Sequence, residues 1–413
     1  MPSRCQPGPP VVIGVSGVAG SGKSTLGRAL AEALRLPLLD LDTLTTTLLE
    51  RLPDESFGER WLAHPRAADI RAARYAALRA TASDVVATAG SAVLVAPFTA
   101  ELTGGPEWTA LTRAVAPAAL RMVHLKGDPE LFARRRAGRA AGRDAYRPDA
   151  AAPPAPAVPH LPVDAELSPD QQRFRVLRAL GHRLPQDPDA ALFARTFDAV
   201  LFDLDGVLAD STASVLRSWD RFTRERGLPT AVVEHNHGRP ARVLMEQLVP
   251  PEQVADGLRR IEELEVRDAS TVDQVPGARA LTEALPPHRY AIATSGSLAV
   301  ASARLDAAGL AAPRVFVTAD VVGRAKPDPE PYLRAAAGLG FAPERCVVVE
   351  DAPAGVTAAR AAGCAVVGVL GTVPPEELDG ADVVVDGLDR LRVVTADGGL
   401  RLSPVEAPGP CGH

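Results

Sequence analysis

Two carboxylates stand two residues apart in Phe202-Asp203-Leu204-Asp205-Gly206, directly after the apolar run Ala199–Phe202. In an open parallel sheet, ligands bind at the carboxyl ends of the strands, and Gly206 lets the chain turn there. One carboxylate can attack phosphorus while the other handles the proton of the leaving oxygen. A bare Asp-x-Asp also caps helices, so the reading rests on three further stretches. Tyr290 to Ala293 runs into Thr294, Ser295 and Gly296, which are suited to hold a phosphoryl oxygen. Lys326 is fixed by neighbouring prolines in Arg324-Ala325-Lys326-Pro327-Asp328-Pro329. Cys346 to Val349 leads into Glu350 and Asp351, a hard-oxygen pair suited to Mg2+. Each stretch alone could be a cap, a surface charge or a solvated loop; together, and in this order, they point to phosphoryl chemistry at a divalent cation.

The first half carries a different phosphate site. Gly17-Val18-Ala19-Gly20-Ser21-Gly22-Lys23-Ser24 fits G-x-x-x-x-G-K-[ST], with the β-branched run Val11–Val15 before it and helical spacing at Leu26, Leu30, Ala33 and Leu34 after it. Backbone N–H groups of such a loop and of the helix that follows cradle phosphates, the lysine spans the outer ones and the hydroxyl ligates Mg2+. The expected ATP contacts are therefore Gly17, Gly20, Ser21, Gly22, Lys23, Ser24 and Thr25. A second apolar run, from Leu36, reads as a strand ending in the spaced aspartates Asp40 and Asp42. Lysine is scarce: Lys23, Lys126 and Lys326 are the only three among 45 basic residues, so a position that keeps it is a candidate for a compact ammonium that a guanidinium cannot replace. Two of the three fall in these motifs.

Apolar runs that end in such loops alternate with helical patterns in both halves, which implies parallel α/β sheets. At 413 residues the chain needs two or three domains. The Pro/Ala stretch Asp149–Pro159 reads as a loop inside the first domain, because His160–Ala165 has strand character and Gln171–Leu180 helical spacing. The expected division is 1–190 and 191–404, with a tail at 405–413. Between about 211 and 275 the strand pattern gives way to helical spacing at Val215, Leu216, Trp219 and Phe222. A net charge of −6 gives no pull toward nucleic acid or anionic membranes. Four scattered cysteines suit a reducing compartment, and no stretch nears the ~18 apolar residues of a membrane span, so a soluble cytoplasmic protein is expected.

From about Phe197 to Pro404, the succession FDLDGVLADS, ATSGS, AKPDPEPYL and VVEDAPAG resembles the four motifs of the haloacid dehalogenase superfamily. The resemblance implies Asp203 as nucleophile, Asp205 as general acid/base, Thr294 on the phosphoryl group with Ser295 and Gly296 beside it, and Lys326 neutralising charge. It implies Mg2+ held by Asp203, Asp205 through its carbonyl, and Asp351, with Glu350 supporting or ligating. The helical insertion looks like the family's cap, from which His237, Gly238 and Arg239 would reach the rest of the substrate. That loop with the four motifs looks most like phosphatases of small sugar and glycerol phosphates; phosphomutase relatives share the core motifs and stay open as an alternative. The first half resembles small-metabolite P-loop kinases, most closely gluconate kinase. This implies Asp40 at the metal, Asp42 at the acceptor hydroxyl, and Arg135 and Arg139 of an arginine-rich lid on the nucleotide. Thr43–Leu49 replaces that family's histidine segment, which widens the acceptor to a sugar, cyclitol or other polyol. The expected architecture is two doubly wound parallel-sheet α/β domains, a P-loop kinase fold and a haloacid dehalogenase Rossmann-like fold with a helical cap. The expected activity is a phosphatase joined to an ATP-dependent kinase; a nucleotide-sensing P-loop half is the alternative.

Overall fold

Strands buried on both faces must be covered by helices on both sides, and the apolar runs of this chain build two sheets of that kind. The computed structural model describes residues 9–51, 64–138, 154–229, 241–396 and 398–405, and the chain divides into two units between Gly181 and His182. The first unit holds β1 (Val11–Gly17), β2 (Leu38–Asp40), β3 (Ala92–Val95), β4 (Ala119–Lys126) and β5 (Leu161–Asp164), all parallel in the order β2-β3-β1-β4-β5. Alternation along β1 sends Val12 into one core with Leu78, Val86 and Leu111, and Ile13 and Val15 into another with Leu26, Leu30 and Val176. The sheet is thus wound on both faces. The sequence reading of a strand through Asp42 needs correction: β2 stops at Asp40, and Asp42 lies in the helix Leu41–Glu50. Asp40 is the reason, since its Oδ1 accepts from the N–H groups of Asp42 and Thr43 and starts that helix.

The second unit holds β6 (Ala199–Phe202), β7 (Ala209–Asp210), β8 (Asp273–Gln274), β9 (Tyr290–Ala293), β10 (Val315–Val317), β11 (Cys346–Glu350), β12 (Ala365–Val369) and β13 (Val383–Val385). Six of these form a parallel sheet in the order β10-β9-β6-β11-β12-β13. Register decides what meets at its edge. Phe202 pairs with both Ile292 and Val349, so the chain leaves neighbouring strands at Asp203, Glu350 and, one residue further on, Thr294.

Between β7 and β8, which pair antiparallel, the chain makes an excursion containing the helices Thr212–Arg226, Ala241–Leu248 and Val254–Asp268. Trp219, Phe222, Leu244, Met245, Ile261 and Leu264 give this cap its own small apolar core. An antiparallel hairpin, β14 (Leu391–Ala396) with β15 (Gly399–Pro404), closes the unit and was not foreseen from sequence. Both units are doubly wound parallel α/β sheets. Among the described residues, no helix is long and apolar enough to cross a membrane.

Candidate active site

Three carboxylates gather where β6 and β11 end. One oxygen each of Asp203, Glu350 and Asp351 lies within 4.8 Å of the others. All three side chains are buried, as is Lys326, whose ammonium donates to Asp203 and, at 2.7 Å, to Oε1 of Glu350. Glu350 is held further by the Tyr332 hydroxyl at 2.6 Å and by the N–H groups of Asp351 and Ala352 at 2.9 and 3.2 Å. The Thr372 hydroxyl donates to Asp351. Gly206 has to be glycine: its φ is +77°, and a Cβ there would lie 1.8 Å from Oδ2 of Asp351.

The electrostatics are unbalanced. Three carboxylates face one ammonium in a setting that solvent hardly reaches. Burial, only partly offset by Lys326, pushes the Asp203 carboxyl up to about 7, and burial together with Glu350 lifts Asp351 well above the carboxylate range. Burial works against the Lys326 charge, but Asp203 and Glu350 more than reverse it and hold its pKa above the ordinary value. A buried all-oxygen donor set with surplus negative charge fits a hard divalent cation such as Mg2+, with Asp203, Glu350 and Asp351 able to hold it.

Asp205 faces the same space. Its Oδ1 accepts from Ser211 Oγ at 2.6 Å and from Arg304 Nη1 at 2.8 Å, and its Oδ2 from Thr294 Oγ1 at 3.4 Å. Thr294 in turn accepts from the Gly296 N–H at 3.1 Å, which fixes the turn after β9. Asp203, Asp205, Ser295, Gly296 and Lys326 line a cavity of about 490 Å³ whose other wall is the cap, including Trp219, Glu262 and Glu265. The structure therefore brings Asp203, Asp205, Thr294, Ser295, Gly296, Lys326, Glu350 and Asp351 together. His237, Gly238 and Arg239 lie outside the described residues. Sequence reasoning missed Arg304, Glu265, Tyr332 and Thr372. Arg304 had a signal: it sits on the stripe of Val300, Ala301, Leu305 and Ala308, where a charge is out of place.

In the first unit, Gly17 ends β1, and Gly20, Ser21 and Gly22 lie in the loop that leads to the helix Lys23–Leu34, whose first turn carries Lys23, Ser24 and Thr25. Gly20 is pressed against the helix Pro129–Ala137: a Cβ there would lie 2.4 Å from the carbonyl oxygen of Phe132. Ser24 Oγ donates to Asp40 Oδ2 at 2.8 Å, which joins the loop's hydroxyl to the first aspartate. Asp42 is gripped instead by Arg74 at 2.6 Å, a buried guanidinium that also donates to Thr45 at 2.7 Å. Arg135 donates to the Ala165 carbonyl at 3.0 Å, at the turn after β5. Its neighbour Arg136, not singled out from sequence, donates to the carbonyl of Ala19 inside the glycine-rich loop at 3.1 Å. Arg139 lies outside the described residues.

Comparison with known proteins agrees with this geometry. A family model for haloacid dehalogenase-like hydrolases matches residues 197–363, and an AAA-domain model matches residues 12–152. The chain is 42% identical over 205 residues to hexitol phosphatase A of Escherichia coli (strain K12), an alignment spanning 48% of this chain and 95% of that protein. It is 32% identical over 211 residues to glycerol-1-phosphate phosphohydrolase 2 of Saccharomyces cerevisiae, spanning 48% of this chain and 84% of the relative. Validoxylamine A 7′-phosphate phosphatase of Streptomyces hygroscopicus subsp. limoneus is 36% identical over 209 residues, spanning 48% of this chain and 96% of the relative.

Proposed function

The chain belongs to the haloacid dehalogenase-like hydrolases, and from that premise we propose that its second unit is a Mg2+-dependent phosphatase of small sugar or polyol phosphates, fused to an ATP-dependent kinase of a related small alcohol. The observation that carries the phosphatase reading is the convergence of Asp203, Glu350 and Asp351 with Lys326 beneath a capped cavity. Asp203 attacks the phosphorus of the bound monoester, and Asp205 gives a proton to the departing alkoxide. The product alcohol leaves behind an aspartyl-phosphate on Asp203. Asp205, now a carboxylate, takes a proton from a water that attacks the same phosphorus, which frees Asp203 and inorganic phosphate. Lys326 holds the Asp203 carboxylate and offsets charge on the transferring group, while Thr294, Ser295 and Gly296 receive its oxygens. When bound, Mg2+ supplies charge neutralisation that lets an anionic nucleophile approach an anionic ester.

Relatives named as a hexitol phosphatase, a glycerol-1-phosphate phosphohydrolase and a validoxylamine A 7′-phosphate phosphatase support a sugar or polyol monophosphate as the substrate class. Support for the kinase comes from the loop Gly17–Ser24 with Ser24 tied to Asp40, where the hydroxyl and carboxylate together suit the Mg2+ of bound ATP. Arg74 fixes the Asp42 carboxylate at 2.6 Å, and Asp42 would meet the acceptor hydroxyl from there. The test is a panel of sugar and polyol phosphates, with and without ATP. Phosphate release drops to background in Asp203→Asn, and turnover surviving that change would falsify the mechanism. Isomerised ester with little free phosphate would favour a mutase, and ATP binding without acceptor-dependent turnover would favour a nucleotide sensor.

A further inference from the structure

The helix Leu298–Ala308 buries Val300, Ala301, Leu305 and Ala308, and in the same stripe Arg304, which is only 3% exposed. A buried guanidinium is retained only with partners, and here they come from two different layers. Nη1 donates to Asp205 Oδ1 at 2.8 Å, at the edge of the core sheet, and Nη2 lies 3.3 Å from Glu265 Oε2, on the cap helix Val254–Asp268. Glu265 is itself fixed, because its Oε1 accepts from the indole N–H of Trp219 at 3.1 Å, on the first cap helix. The arrangement is a poor one for stability alone. Nε and Nη2 of Arg304 are buried and find no well-aligned hydrogen-bond acceptor among the described residues, a cost that an apolar residue in this stripe would avoid. Such violations of local packing rules are kept where a site uses them. Arg304 is also the one charged group among the described residues that hydrogen-bonds Asp205.

We propose that Arg304 is a positioning residue that orients Asp205 for proton transfer only while the cap helix bearing Glu265 is seated, so that Trp219, Glu265 and Arg304 relay the cap's position to that carboxylate. The inference rests on the phosphatase reading above. With Glu265 in place, the Arg304 guanidinium fork is drawn toward the cap by an ion pair at 3.3 Å while its other nitrogen donates to Asp205. With Glu265 withdrawn, the fork has one partner and Asp205 loses its fixed orientation. The proton is therefore delivered when the cap is seated over the substrate, and not to water in an open site.

The test compares kcat/KM, which reports steps through phosphoryl transfer to Asp203, for two esters that differ in their need for a proton. The alkoxide of glycerol 1-phosphate leaves only with protonation, whereas the phenolate of p-nitrophenyl phosphate leaves without it. Arg304→Met is expected to lose about 100-fold on glycerol 1-phosphate but less than about 5-fold on p-nitrophenyl phosphate. Glu265→Gln keeps an acceptor for Trp219 and shows the same bias at smaller size; Arg304→Lys, a point charge in place of a fork, falls between. The double variant Arg304→Lys/Glu265→Gln loses less than the product of the single losses. Equal losses on both esters in variants that melt cooperatively, or independent losses in the double variant, overturn the relay. Should Arg304→Met fail to fold, the two conservative variants carry the comparison. Turnover that survives Asp203→Asn would instead sink the phosphatase reading, and the relay with it.

Discussion

Lys326 joins two strand ends through one nitrogen: its ammonium donates to Asp203 beyond β6 and, at 2.7 Å, to Glu350 at the end of β11. Removing it leaves three buried carboxylates without a counter-charge. Lys326→Met is expected to lose about 3–5 kcal/mol of stability, the usual consequence of breaking a buried pair from one side. Added Mg2+ restores part of it by supplying positive charge to the same oxygens. Urea unfolding with Mg2+ and with EDTA measures both effects; a variant as stable as the parent in EDTA would contradict the charge balance argued here.

Gly355 lies beneath Glu350, and a Cβ there would sit 1.7 Å from Oε1. Gly355→Ala must push that carboxylate off Lys326 and Tyr332. The expected cost is about 1–3 kcal/mol, as for overpacking of a tight site, with a larger fractional loss of phosphate release. Chemical denaturation and a phosphate assay on the same preparation would check it.

In the first unit the prediction concerns charge at the nucleotide. Lys23→Met should abolish polyol-stimulated ATP consumption, and Asp40→Asn should raise the Mg2+ concentration needed for it, because Asp40 accepts from Ser24 at 2.8 Å. A coupled ADP assay over a Mg2+ titration distinguishes the two. An unchanged Mg2+ requirement in Asp40→Asn would remove this residue from the metal site.

Within the cap, Arg260 and Arg221 hold the Glu225 carboxyl at about 2, against an ordinary value of 4.5, chiefly through the hydrogen bonds from Arg260. A carboxyl depressed in the folded state contributes stability that is complete above about 4.5 and is lost as pH falls toward 2. The glutamate is about one-third exposed, so screening keeps the contribution below about 1 kcal/mol. The gap in melting temperature between the parent and Glu225→Gln should narrow between about pH 6 and about pH 2.5. A gap that stays constant would remove this ion pair from the cap's stability.

Much of the second site was legible because its residues lie where buried apolar runs stop. Asp203 and Thr294 follow, and Glu350 ends, a strand that the sequence marks by composition, and parallel register then brings them to within one residue of the same level. Lys326 stood out through the scarcity of lysine. What could not be read depends on which segments meet. Arg304 and Glu265 are ordinary residues on two helices until packing sets one beside the other. Asp42 was misassigned to a strand because the capping action of Asp40 outweighs the apolar character of its neighbours. The β14–β15 hairpin follows the last motif, and no chemistry marks it.

The pairing of β7 with β8 has a consequence for how such an enzyme can change. Asp210 and Asp273 stand opposite each other, so the chain leaves and rejoins the catalytic body at nearly one point. Whatever is spliced between these positions alters neither the connectivity nor the register of the parallel strands beneath. The cap is therefore a separable insertion as far as the sheet is concerned, but not an indifferent one, since Ser211 and, through Arg304, Glu265 reach Asp205 from within it.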